Sequence, residues 1–349
     1  MTTNPLAADL ENILARTEAL WEQLRGGRIL ITGATGFFGC WFLESFAWIN
    51  RRLGLGAQAV GLSRNPGTLL SKAPHIATDS CISLFAADVR DNKFPDGRFT
   101  HLIHGATEAS AALNAEHPQV MFDTIVQGTR NVVQRAAAGG ECRFLLTSSG
   151  AVYGIQPPQV SHLQESFLGG PDPLERASAY GEGKRAAELL CVLSANGHFH
   201  PTIARCFAFV GPYMKLDAHF AIGNFIADRL RGGPIRVQGD GTPFRSYMYA
   251  SDLMVWLWTI LFKGESARAY NVGSEEALDI ATTARNVAEA IPPLIDVQVG
   301  CVPKPGTPPS RYVPCTRRAR EELRLEVEVP IGEAVRRTCA WVAQRASYE

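Results

Sequence analysis

Short apolar runs alternate with longer stretches of helical periodicity through the first two-thirds of the chain. Ile29, Leu30 and Ile31 form the first run, within 28–32, and similar runs recur at 57–62, 83–87, 101–104, 143–147 and 202–207. Their apolarity is continuous rather than alternating, the mark of strands buried on both faces of a parallel sheet. Amphipathic helices are predicted between them at 41–52, 120–138 and 179–194. Strands and helices that alternate in this way predict an α/β domain with a doubly wound parallel sheet.

The pattern loosens after Gly211-Pro212. Helices are predicted at 220–231, 252–263 and 280–291, strands are short, and Pro292-Pro293 and 303–309 mark loops. We expect a main domain over 26–210 and a smaller α+β lobe over 211–349 that closes on a substrate, with a strand returning to the main sheet. Leu10, Ile13, Leu14, Trp21 and Leu24 predict a leading amphipathic helix in 1–25, and the acidic residues among them do not suit a secretory leader. The run 253–262 is too short to span a bilayer.

Charge changes the picture by exclusion. Lys+Arg and Asp+Glu are both 34 in 349 residues, so no basic excess recruits nucleic acid or an anionic membrane. The eight cysteines are scattered without a Cys-x-x-Cys pair, which points to no disulfide framework and no metal site, and to a reducing cytoplasm.

Chemistry begins at Thr32-Gly33-Ala34-Thr35-Gly36-Phe37-Phe38-Gly39, which follows the first strand and opens a helix. Gly33 suits a tight turn, Gly36 lets backbone amides approach a pyrophosphate, and Gly39 permits close helix–strand packing. The free amides and positive end of the helix complete an anion site. This predicts a Rossmann-like fold that binds NAD(P). At the end of the second strand Ser63 stands where an acidic residue would bond a ribose 2′-hydroxyl, and Arg64 follows. A guanidinium there can clamp a 2′-phosphate, which favours NADP while leaving NAD open.

A second constellation lies downstream. Ser149 ends the fifth strand, and Tyr180 and Lys184 are spaced to share one face of a helix. An ammonium beside a phenol is expected to lower the tyrosine pKa, so that Tyr180 can exchange a proton with a substrate hydroxyl as hydride leaves or joins the same carbon. Ser149 would hold the substrate oxygen, and Lys184 would also bond the nicotinamide ribose.

Together these segments resemble the extended short-chain dehydrogenase/reductase family and its nucleotide-sugar epimerases, dehydratases and reductases. The likeness runs through T-G-A-T-G-F-F-G, Ser149-Gly150-Ala151-Val152-Tyr153-Gly154, Tyr180 with Lys184, residues 205–212, residues 239–245 and Tyr270-Asn271-Val272-Gly273. The resemblance implies cofactor contacts from Thr35, Phe37, Phe38, Asp88, Val89, His104, Gly105, Ala106, Thr107 and Thr147 as well as the glycines. It implies substrate contacts from Glu108, Ser149 and Gly150, and from Arg245 and Arg311 on the diphosphate of a nucleotide-sugar. It also implies a homodimer through helices 120–138 and 179–194. The chain departs from the family at Ala208 and Ile125, where asparagine is common.

Dehydratases of the family carry Asp-Glu where Gly150 and Ala151 stand, and neither residue here can transfer a proton. We therefore expect an epimerase acting at C4 of the sugar, with an NADPH-dependent 4-ketoreductase as the alternative. A 4,6-dehydratase and a non-catalytic NADP(H) sensor rank below these.

Overall fold

The computed structural model describes residues 4–107, 110–216 and 220–346. Its centre is a seven-stranded sheet of β1 (Arg28–Thr32), β2 (Gln58–Ser63), β3 (Ile82–Ala86), β4 (His101–His104), β5 (Cys142–Ser149), β6 (Phe199–Cys206) and β7 (Arg268–Val272). The spatial order is β3-β2-β1-β4-β5-β6-β7, and every pairing is parallel. Chain order reverses between β1 and β4, so the crevice beyond their carboxyl ends is where an open α/β sheet takes a ligand. β7 is the returning strand, aligned on β6 from Arg268 opposite Thr202 to Val272 opposite Cys206.

Helices cover both faces. On one side lie α1 (Ala7–Thr17), α2 (Phe37–Leu53) and, further along the chain, residues Ala250–Lys263. That last helix contains the long apolar run, and every residue from Ala250 to Phe262 is buried. A helix apolar on all sides must be enclosed. Here Trp258 meets Trp21 with centroids 4.5 Å apart and Phe42 at 5.1 Å. The leading helix is also tied in by charge. Arg16 donates to the buried carboxylate of Asp252, and Asp9 accepts from the Tyr249 hydroxyl at 2.8 Å and from Arg337 at 2.6 Å. On the other face lie α3 (Pro118–Ala137) and α4 (Ala179–Ser194). Gly183 brings them together, since a Cβ there would lie 3.1 Å from Ile125.

The smaller lobe has its own apolar cluster, including Ile222, Phe225, Ile226, Val237, Tyr247 and Val287. Among the described residues three small sheets lie outside the main one: one pairs Phe209–Val210 with Met248–Tyr249, one pairs Ile235–Val237 with Val297–Val299, and one is built of Leu278–Asp279, Phe244–Arg245 and Arg311–Tyr312. Among the described residues no helix is long and apolar enough to cross a membrane, and all eight cysteines are free thiols.

The sequence-based boundaries shift at informative places. α2 begins four residues earlier than its apolar periodicity suggested, because Gly36 is already its N-cap (41 against 37). β5 ends at Ser149, as read from the sequence, and so carries its polar end into the crevice.

Candidate active site at the carboxyl edge of the sheet

The glycine loop joins β1 to α2 at the switch point. Gly33 has φ +73°, and a Cβ on it would lie 2.5 Å from the Gly105 carbonyl at the end of β4. A Cβ on Gly39 would lie 2.3 Å from the Gly33 carbonyl. Gly36 differs: a Cβ there would meet only the Gly33 carbonyl, at 3.3 Å, so its remaining surroundings are open. Two glycines close the turn and the third leaves room above the first amides of a 17-residue helix. That arrangement fits the pyrophosphate of a dinucleotide.

At the far side of the cradle the Thr35 and Ser63 hydroxyls are 2.9 Å apart, and Arg64 is exposed beside them. Lys72, which sequence reasoning missed, donates to the Thr35 carbonyl at 2.8 Å and adds a second cation here. Asp88 caps a short turn and accepts from the Arg90 amide at 2.9 Å and from its guanidinium at 3.0 and 2.8 Å. The Arg90 guanidinium holds the carboxyl below its ordinary range. Val89 is buried, in the space left open by Gly128. Phe37 and Phe38 are half-buried, and Phe38 packs edge-on against Phe209 at 5.5 Å.

The segment after β4 divides. The His104 ring is buried between the Thr32 hydroxyl at 2.8 Å and the Thr129 hydroxyl at 3.1 Å. Burial pushes its pKa down to about 3, so it is a neutral brace between β1, β4 and α3. Gly105, Ala106 and Thr107 continue past the glycine cradle, with the Gly105 amide 3.2 Å from the Thr32 carbonyl. Glu108 lies outside the described residues.

Ser149, Tyr180 and Lys184 come together at the end of β5. Lys184 is buried and donates to the Thr147 carbonyl at 2.9 Å, and its ammonium lies 5.8 Å from the centre of the Tyr180 ring. The Thr147 hydroxyl donates to the His104 carbonyl at 3.0 Å, which locks β5 to β4 beside the lysine. Ser149 interacts with the Tyr180 phenol. α4 starts close beneath this point. A Cβ on Gly181 would lie 2.6 Å from Pro171 and 2.8 Å from the Ala151 carbonyl, so the residue that weakens the helix is the one that lets it approach.

One expectation is corrected. Lys184 does not lower the Tyr180 pKa here. Burial pushes the phenol up to about 12, against a smaller opposing effect of Ser149, while burial pushes Lys184 down to about 8. The ammonium is engaged by a backbone carbonyl, and desolvation outweighs attraction between the pair.

A buried polar network underlies the set. Ser148 donates to Glu188 at 2.6 Å, and Glu188 accepts from Arg205 at 2.7 and 3.0 Å. Arg205 donates to the Tyr153 hydroxyl at 2.9 Å, and that hydroxyl lies 2.7 Å from the Asn271 side-chain oxygen. The Asn271 amide reaches the Leu163 and Cys315 carbonyls at 2.8 and 3.0 Å. Arg245 and Arg311 lie on neighbouring strands of the small sheet, where Arg311 is opposite Phe244 and stacks its guanidinium 4.2 Å from the centre of that ring. Tyr312 sits next to them, and sequence reasoning missed it although it follows Arg311 directly. Among the described residues no His, Cys, Asp and Glu cluster could hold a metal ion.

A glycine cradle at the switch point, with Ser149 at the end of β5 and Tyr180 and Lys184 on α4, defines an extended short-chain dehydrogenase/reductase. The model of the NAD dependent epimerase/dehydratase family matches residues 29–273, and the chain belongs to that family. It is 31% identical to UDP-glucuronic acid decarboxylase 6 of Arabidopsis thaliana, across 88% of this chain and 86% of that one. UDP-glucuronic acid decarboxylase 1 of the same plant is 30% identical, across 89% and 68%. Among solved structures, UDP-glucose 4-epimerase from Thermotoga maritima superposes with a TM-score of 0.75 at 20% identity, covering 92% of this chain and all (100%) of that one. The dTDP-glucose 4,6-dehydratase DesIV of Streptomyces venezuelae gives 0.76 at 22%, covering 92% and 98%.

The buried lysine makes stability depend on pH. In the unfolded chain Lys184 holds its proton up to about 10.5, and in the folded protein only up to about 8. Between these values the unfolded chain binds more protons, so this residue raises stability as pH rises and penalises it most below pH 8. The difference in denaturant stability between wild type and Lys184→Met should therefore move in favour of wild type across that window. A difference that stays flat contradicts the burial of a charged lysine.

Proposed function

We propose that the chain moves a hydride between C4 of a nucleotide-linked sugar and a bound nicotinamide, and that the net reaction is epimerisation at C4. One observation carries this reading: Ser149, Tyr180 and Lys184 converge, while the two residues after Ser149 are Gly150 and Ala151. A bound NAD(P) would accept the hydride from C4 and return it. Ser149 holds the C4 oxygen, and Tyr180 takes the hydroxyl proton and gives it back. Lys184, held on the Thr147 carbonyl, would bond the cofactor ribose. Epimerisation asks for no further proton transfer, only that the ketone present its other face. Dehydration needs a base at C5 and an acid at the leaving hydroxyl, which Gly150 and Ala151 do not supply.

The curated relatives favour a second reading, decarboxylation. Oxidation at C4 of a sugar with a carboxylate on C5 makes a β-keto acid, which loses carbon dioxide without a base. Gly150, Ala151, Phe207 and Tyr312 beside Ser149 are uncharged, which suits a neutral sugar better than an anionic one. A 4-ketoreductase would use the same residues and draw its support from Arg64.

The protein should be incubated with UDP-glucose, UDP-galactose and UDP-glucuronic acid and either cofactor, and the sugars followed by NMR and mass spectrometry. Interconversion of the first two at unchanged mass is expected, and loss of carbon dioxide from the third supports the second reading. Tyr180→Phe should lower turnover by roughly 10²–10⁴ while sparing cofactor affinity. Unchanged sugars in all three cases contradict hydride chemistry on UDP-sugars.

The cofactor reading is NADP(H), supported by Ser63, by the exposed Arg64 and by Lys72 at the Thr35 carbonyl. Arg64→Ala should weaken NADP(H) binding by on the order of 2 kcal/mol and NAD(H) much less, as measured by calorimetry. Equal losses reject a 2′-phosphate contact. The assembly reading is a two-fold dimer through α3 and α4, whose Val120, Phe122, Leu189, Val192 and Leu193 are exposed, and a one-chain mass in light scattering contradicts it.

A further inference from the structure

The space beside Ser149, where a proton-transferring side chain could have followed, is filled from the other lobe. A Cβ on Gly150 would lie 2.6 Å from the Tyr312 hydroxyl and 2.8 Å from the Phe207 ring. The Tyr312 ring stacks on Phe207 with centroids 4.7 Å apart and planes 36° from parallel. Its hydroxyl interacts with Ser149, the residue that also meets the Tyr180 phenol.

Tyr312 is held on both sides. Its strand pairs in parallel with Phe244–Arg245, placing Tyr312 opposite Arg245. The next residues are fastened to the loop that leaves β5. The Val313 amide donates to Gln156 at 2.9 Å, the Leu163 amide to the Val313 carbonyl at 2.9 Å, and the Cys315 amide to the Leu163 carbonyl at 2.7 Å. A single strap thus carries Arg311, which the family resemblance places on the diphosphate, and a phenol beside the hydride-transfer set.

We propose that Tyr312 is a third substrate-contacting hydroxyl of the active site, donating a hydrogen bond to the C4 ketone oxygen of the oxidised sugar. The inference rests on the reading that C4 is the carbon oxidised. Burial holds this phenol above its ordinary pKa, so it remains a donor. A ketone oxygen only accepts, whereas the hydroxyl it replaces can also donate. A fixed donor therefore favours the ketone state, and Gly150 is the residue whose lack of a side chain admits it.

The test uses the complete chain, its cofactor and whichever UDP-sugar the wild type converts. Tyr312→Phe keeps the ring on Phe207 and should lower kcat by about 100-fold. KM, cofactor affinity and UDP affinity should stay near wild type. The fraction of bound cofactor reduced after mixing with sugar should fall with kcat, a change that a merely structural role would not produce. Gly150→Ala drives a methyl group against both the phenol and the Phe207 ring and should lower kcat in the wild-type background. Near-wild-type kcat in Tyr312→Phe, or a loss of kcat matched by loss of UDP affinity, overturns the proposal while leaving hydride transfer at C4 intact. A wild type that converts no UDP-sugar overturns both.

Discussion

The active edge of the sheet depends on one largely buried ion pair, Glu188 with Arg205. Glu188 stands on α4, one turn beyond Lys184, and Arg205 stands on β6. The carboxylate also receives the hydroxyl of Ser148, next to Ser149, and the guanidinium reaches on to Tyr153. The pair therefore fixes α4 against β5 and β6 at the level where Tyr180, Lys184 and Ser149 must meet. Such a pair is a weak source of net stability, but losing one partner would leave the other buried and uncompensated, at about 3–5 kcal/mol. Its value here is positional, because the hydroxyl of Tyr153 passes the same constraint to Asn271 and through it to the strap carrying Tyr312.

Function follows from where that edge lies. The glycine cradle opens at the end of β1, the Ser/Tyr/Lys set stands beside β5, and β4 between them is followed by Gly105, whose carbonyl packs against Gly33. A dinucleotide laid across the switch point would run from the Arg64 side to the Lys184 side. The smaller lobe then brings Arg245, Arg311 and Tyr312 from one three-stranded sheet. The arginines expected on a diphosphate and the contact proposed for the reacting sugar thus lie on the same short strands. Coupling of this kind lets binding energy from the nucleotide orient the sugar.

Much of this was legible in the sequence. The apolar runs located the first six strands because parallel strands buried on both faces leave an uninterrupted signal. Gly33, Gly36 and Gly39 announced the cradle because each meets a different steric demand. Ser149, Tyr180 and Lys184 were legible because helical spacing fixes which side chains share a face. Other features depend on tertiary contact and leave no local trace. The sequence does not show that Lys184 spends its charge on the Thr147 carbonyl, or that His104 turns between Thr32 and Thr129. Tyr312 carries no sequence signal of a role until the folded chain places it against Gly150, far away in sequence.

The central claim is that C4 of the sugar is the carbon that exchanges hydride under Ser149, Tyr180 and Lys184. Stopped-flow reduction of the bound cofactor, followed by the near-ultraviolet absorbance of the reduced nicotinamide, tests it with nucleotide-sugars carrying deuterium at single carbons. A primary isotope effect on the reduction step with the label at C4, and none with the label at C3 or C5, is the predicted result. Slowing by a label at another carbon, with no effect at C4, would contradict the account.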